Sequence, residues 1–343
     1  MPPQGAFPGV PIFNVGGALG APPLWETGYA GGKPVDAVAT AEQEIRPSLR
    51  KRLSAALENP TFLGFLFVAP AELLLLVFLA YPLLLGLWLG LTDTLVGREG
   101  HYIGLANYIS LVHDSSFWLT VFNTFLYTVV AVFFKLVLGV GLAVVLNRDF
   151  KGKGLMRATV LLPWIIPTAL SAIVFWWLYD STFSGISWTL IKLGLMDHRI
   201  NFLGDAWNAR WSLIVANIWR GVPFFTIGLL AGLQTINPDL YEAAEIDGAG
   251  SWARFRKITL PLLMPLLTVV TVFSTIWTFA DFQLVWVITR GGPGGATHIF
   301  GTLSFQRAMS GGHFGEGAAI SNFMLPILVA CVFIAFVFLR KED

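Results

Sequence analysis

Asn237-Pro-Asp-Leu-Tyr-Glu-Ala-Ala-Glu-Ile-Asp-Gly-Ala-Gly-Ser-Trp-Ala-Arg-Phe-Arg-Lys-Ile-Thr-Leu-Pro261 is the stretch on which the reading of this chain turns. Asn237 is placed to cap a helix with Pro238 at its first position, where a missing amide hydrogen costs nothing. That helix is expected to run through Tyr241, Ala244 and Ile246, and Gly248 or Gly250 can end it with a positive φ. Ser251 is expected to cap a second helix that leads through Phe255 to Pro261. The result is a helix–glycine–helix elbow. Ala243, Ala244 and Ala249 leave room for close backbone approach, and Glu242, Glu245 and Asp247 give it an acidic edge. Such a segment is either a rigid lever that docks into a groove on another protein or an amphipathic loop resting on lipid.

The segments around the elbow favour a membrane. Hydrophobic residues make up 55% of the 343 and charged ones only 13%, about half the charge of a soluble domain. Six stretches are long enough to cross a bilayer, which takes roughly 20 apolar residues: 62–91, 118–146, 158–179, 211–233, 262–288 and 318–339. The predicted fold class is therefore an all-α membrane protein of six transmembrane helices, over residues 61–343, with the loop that holds the elbow at 234–261. Residues 1–60 read as a cytoplasmic tail whose Gly-, Pro- and Ala-rich first part is disordered. Prolines interrupt the first span at Pro70 and Pro82, the third at Pro163 and Pro167 and the fourth at Pro223. Either they are ordinary kinks, or they mark broken helices around a central path.

Basic residues set the orientation. Arg46, Arg50, Lys51 and Arg52 precede the first span. Arg148, Lys151, Lys153 and Arg157 lie between the second and third, Arg254, Arg256 and Lys257 before the fifth, and Arg340 and Lys341 after the sixth. The alternate loops hold only Arg98, Lys192, Arg199, Arg210, Arg290 and Arg307. Both termini and the elbow are therefore expected in the cytoplasm.

Within the spans, Glu72, Lys135, Arg220 and Asp281 are ionisable and costly in lipid, so they are expected to face the bundle interior. At about 1.5 Å per residue, Glu72 and Lys135 match in depth, as do Arg220 and Asp281. These are either two ion pairs fixing helix packing, or groups that meet a polar substrate; for Lys135, snorkelling to headgroups is a third possibility. Trp176, Trp177 and Tyr179 are expected to form an interfacial belt. Asn217, Trp219, Arg220, Phe224, Trp277, Asp281 and Phe282 are candidates to line a path. The net charge of +1 provides no basic field for nucleic acid. Cys331 alone makes no disulfide or thiolate cluster, the five histidines show no ligand spacing, and neither cofactor nor metal is called for. Gly291-Gly-Pro-Gly-Gly295 lacks the lysine of a phosphate-binding loop, so the chain is not expected to hydrolyse ATP itself.

Glu242-Ala-Ala-x-x-Asp247-Gly-Ala, followed by Phe255 and Leu260-Pro261, resembles the EAA loop of ABC-importer permeases. Further motifs resemble the carbohydrate, MalF-like branch of that family: Ala69-Pro70, Tyr81-Pro82, Gly104-Leu-Ala-Asn107-Tyr108, Asn123-Thr124, Leu162-Pro163-Trp164 with Pro167, Trp219-Arg220-x-x-Pro223-Phe224, and Val287-Ile-Thr-Arg290-Gly-Gly-Pro293. The resemblance implies the permease subunit of a bacterial inner-membrane importer for a sugar, polyol or related solute. It implies cytoplasmic ATPase subunits that receive the elbow through Glu242, Ala243, Ala244, Asp247, Gly248 and Ala249. It also implies a second permease subunit and an extracytoplasmic solute-binding protein, with membrane lipid around them all. A permease for amino acids or phosphate is the alternative, and an ion-coupled carrier lies further off.

Overall fold

The computed structural model describes residues 59–339, so the expected tail over 1–60 lies almost wholly outside the described residues. The helices are α1 (Pro60–Leu89), α2 (Ala106–His113), α3 (Ser115–Asn147), α4 (Lys153–Ile165), α5 (Thr168–Leu178), α6 (Gly185–Lys192) and α7 (Ala206–Leu233). They continue as α8 (Asp239–Ile246), α9 (Ser251–Phe279), α10 (Gln283–Ile288), α11 (Phe300–Phe305), α12 (Phe314–Asn322) and α13 (Met324–Leu339). Among the described residues β pairing is confined to isolated bridges such as Thr92 with Tyr102. The all-α expectation therefore holds.

Four single helices, α1, α3, α7 and α9, and the run α12–α13 are long and apolar enough to cross a membrane. Two expected spans take a different course. The stretch 158–179 is no single rod: α4 and α5 meet at 93°. Pro167 forces this. Its ring pushes Ile166 into extended backbone (φ −68°, ψ 129°), and it has no amide hydrogen with which to continue the ladder. The stretch 262–288 also breaks. α9 stops at Phe279, and α10 restarts at Gln283 after a gap of three residues, where the Asp281 carboxylate accepts the Leu284 N–H at 3.2 Å.

Prolines leave a second mark. Two π turns, Leu76–Ala80 in α1 and Phe255–Thr259 in α9, end one residue short of Pro82 and Pro261. A proline cannot donate to the carbonyl four residues back, and its ring crowds that carbonyl. The wider turn passes the bond on: Tyr81 N–H goes to Leu76 O and Leu260 N–H to Phe255 O.

The packing centre is α3 against α7. The helices touch closely because Gly139 of α3 lies against Phe225, and Gly221 of α7 lies against the aliphatic stem of Lys135. Towards the end of α3 nearest the elbow, Val132, Ala143, Leu146, Phe225, Leu229, Leu233 and Leu263 form one core. Towards the opposite end, Tyr127, Ala172, Tyr179, Ile214, Leu284 and Ile288 form another. Leu73, Phe78 and Leu84 on α1, Phe133 on α3 and Phe333 on α13 point outward. An apolar surface of this extent is compatible only with lipid or an apolar partner.

Candidate functional site

Two regions hold the sequence-predicted residues. The first is the elbow. Helix α8 begins one residue later than expected: Pro238 is its cap, and Asn237 Oδ1 still accepts the Asp239 N–H at 3.1 Å. Gly248 ends it with φ 79°, and Ala249 N–H returns to Ala244 O at 2.8 Å. The cap of the next helix is Gly250 rather than Ser251, which is already helical and makes no capping bond. Extended backbone at Gly250 (φ −65°, ψ 165°) does the turning. Two cross-links close the elbow on itself. Arg254 donates to Glu245 at 2.7 Å, and the Tyr241 and Thr259 hydroxyls meet at 2.9 Å. Glu242 and Ala243 remain exposed, Ala244 and Ala249 are half-buried, and Ile246 is 87% exposed. Glu242 has no ion-pair partner among the described residues, and neither has Asp247.

The second region is a cavity of about 670 Å³ bounded by α3, α4, α7, α9 and the α9–α10 break. Of the seven candidate path residues, Asn217, Arg220, Phe224, Trp277, Asp281 and Phe282 line it. Trp219 does not: it turns away to meet Phe175 edge-on at 5.3 Å. Trp164 joins the wall, stacked on Phe224 at 5.3 Å, with Trp277 at 5.0 Å from Phe224.

The polar side of the cavity is organised differently from the two expected ion pairs. Glu72 is exposed on α1 and makes no salt bridge among the described residues. Lys135, only 3% exposed, instead donates to Thr278 at 2.7 Å and Ser274 at 3.3 Å on α9. Matched depth was not enough, because α3 turns the lysine across Gly221 toward α9. The Arg220–Asp281 pair is absent too. Asp281 Oδ2 is occupied by Tyr127 Oη at 2.7 Å and Asn217 Nδ2 at 2.9 Å. Arg220 sits 5.8 Å from the Trp164 ring centroid, and its Nε, like Asn217 Oδ1, is buried without a partner among the described residues. Tyr127 escaped sequence reasoning altogether; its position four residues after Asn123, on one face of α3, is the signal that would have found it.

Asn123 is a hub of its own. Arg210, on the first turns of α7 rather than in a loop, donates to Asn123 Oδ1 at 2.9 Å. The Asn123 amide in turn donates to Ala296 O at 2.9 Å and His298 O at 3.1 Å. The three-residue belt is corrected in one member: Trp176 and Trp177 are exposed, whereas Tyr179 is buried with its hydroxyl on Ser212 O at 3.0 Å.

A bent helix pair, a glycine elbow and a central cavity are features of a transport protein, and comparison agrees. Residues 135–341 match the family described as "Binding-protein-dependent transport system inner membrane component". The trehalose/maltose transport system permease protein MalF of Thermococcus litoralis is 38% identical, over 79% of this chain and 92% of that protein. The sulfoquinovosyl glycerol transport system permease protein SmoG of Agrobacterium fabrum is 33% identical, over 82% of this chain and 91% of that one. The fold resembles a solved chain of a bacterial ABC transporter involved in import of the acidic polysaccharide alginate, with TM-score 0.71 and 23% identity, covering 85% of this chain and 98% of that one. The chain thus belongs to the family of binding-protein-dependent transport system inner membrane components and is a membrane-spanning permease subunit.

Proposed function

We propose that this permease carries a sugar, polyol or related solute through the cavity beside the α9–α10 break, driven by a separate ATPase. The observation that carries this reading is the make-up of the cavity. Trp164, Phe224 and Trp277 offer flat apolar faces, and Asn217, Arg220 and Asp281 stand beside them. A polyhydroxylated ring has the same two characters, apolar C–H faces and a hydroxyl edge. Asn217 Oδ1 and Arg220 Nε, buried and with no partner among the described residues, leave this wall with unused hydrogen-bonding capacity. The names of the relatives, trehalose/maltose and sulfoquinovosyl glycerol permeases, support the solute class.

The elbow is the contact with the ATPase, through Glu242, Ala243, Ala244, Asp247, Gly248 and Ala249. A second permease subunit, an extracytoplasmic solute-binding protein and surrounding lipid complete the assembly in a bacterial inner membrane. Both termini face the cytoplasm, a reading supported by the basic residues Arg148, Lys151, Arg256 and Lys257 at the elbow end. Cysteine labelling from outside at position 97, and only from inside at 152, is expected.

In the reconstituted assembly, the solute carried should stimulate ATP hydrolysis. Trp277→Ala should raise the concentration for half-maximal stimulation about tenfold, equivalent to about 1.4 kcal/mol. An unchanged response in both Trp277→Ala and Asn217→Ala would remove the cavity from the path.

A further inference from the structure

The segment joining α5 to α7 contains a short helix, α6, set in a stretch that exposes large apolar side chains. Helix α6 opens on Ser184, whose hydroxyl donates to Leu178 O at 2.7 Å and accepts the Ser187 N–H at 3.1 Å. The start of α6 is thereby fastened to the end of α5. The face turned toward the protein mixes Ser187, 1% exposed and accepting the Ile200 N–H at 3.2 Å, with the half-buried Ile186, Leu190 and Ile191. The outward face carries Trp188, 59% exposed, between Thr189 and Lys192, and the chain on either side exposes Phe183, Leu193 and Leu195. In water this arrangement is unfavourable by roughly 25 cal/mol for every Å² of apolar surface left wet.

Position decides which apolar medium compensates. Helix α6 lies between two span ends that each expose a tryptophan pair, Trp176 and Trp177 on α5 and Trp207 and Trp211 on α7. Exposed tryptophans at span ends mark the level of the headgroups. The lone cation of the helix suits that level too: Lys192 Nζ lies over the Trp188 ring, 4.1 Å from its centroid, and a long lysine stem can carry the ammonium to the headgroups. We propose that α6 is an interfacial helix, lying in the bilayer surface at the end of the spans opposite the elbow. Trp188, Phe183 and Leu193 enter the boundary between headgroups and acyl chains, and Lys192 sits among the lipid phosphates.

The test uses the complete transporter in lipid nanodiscs, with Cys331→Ser and one nitroxide-labelled cysteine at 188, 193 or 197 in turn. Labels at 188 and 193 should relax more strongly with oxygen than with a water-soluble nickel chelate, placing them about 5–10 Å into the leaflet. A label at 197 should show the reverse. Labels at 183 and 195 repeat the measurement with Trp188 intact, so loss of the helix in one variant does not decide the outcome. Nickel access at both 188 and 193 would overturn the proposal, since the face would then be open to water. Shielding from both reagents would overturn it too, since a protein partner would then cover the face.

Discussion

Two carboxylates, Glu242 on the elbow and Asp281 at the break after α9, stand in opposite circumstances. Glu242 is exposed and has no ion-pair partner among the described residues; Asp281 accepts from Tyr127, Asn217 and the Leu284 amide. The elbow is fixed by bonds between near neighbours in sequence, from Asn237 to Thr259, and leaves its acidic edge exposed. The region around Asp281 is fixed by residues up to 154 positions apart and keeps its charges inside. One is an open surface, which we propose meets the ATPase; the other is an interior whose groups satisfy one another and leave two atoms over. Disturbing each should produce a different failure.

The largest effect is expected at the elbow. Gly248→Pro asks a residue locked near φ −65° to adopt 79°, and Glu242→Lys reverses the edge. Both should abolish uptake while the chain stays inserted, and the ATPase should be lost on co-purification. Normal transport with the ATPase still bound would break the comparison at once, since the elbow would then be no docking surface. Next comes the interior. Asp281→Ala leaves the Tyr127 hydroxyl and the Asn217 amide without their acceptor, at about 1–3 kcal/mol each, seen as a lower unfolding temperature in detergent. ATPase binding should survive. Asn123→Ala should cost about 1–3 kcal/mol by stranding the Arg210 donor. The smallest effect is expected from Lys135→Met, which removes a desolvated ammonium and keeps the stem over Gly221. Stability should change by less than about 1 kcal/mol or rise, while solute-stimulated ATP hydrolysis shifts. A large destabilisation would show that Lys135 holds α3 to α9 and does not serve the cavity.

The same contrast explains what could be read in advance. The elbow was legible because caps, glycine and alanines act within a few residues of one another, and its errors are one-residue shifts at Pro238 and Gly250. Most spans were legible because lipid demands an apolar run of known length. Partner choice within the membrane was not. Depth follows from counting residues, but rotation about the helix axis decides whether Lys135 meets Glu72 or Thr278. That rotation depends on packing, here on the absent side chain at Gly221. Pro167 was visible as a weak point, yet nothing local distinguishes a slight kink from a 93° turn.

The π turn at Phe255–Thr259 lies between the elbow and the apolar length of α9. It holds one residue more than the α-helical path would, and successive residues of an α-helix differ by about 100° in azimuth. The turn is therefore a phase absorber. Wound as plain α-helix, the same residues would swing the elbow about the α9 axis by that angle; taken up in a wider ring, the extra residue leaves the bearing nearly unchanged. Deleting one residue between 255 and 259 would let the ladder close in the ordinary way with the acidic edge close to its present bearing. The angle at which the elbow presents itself thus depends on this one ring staying wide, and not on the bundle behind it.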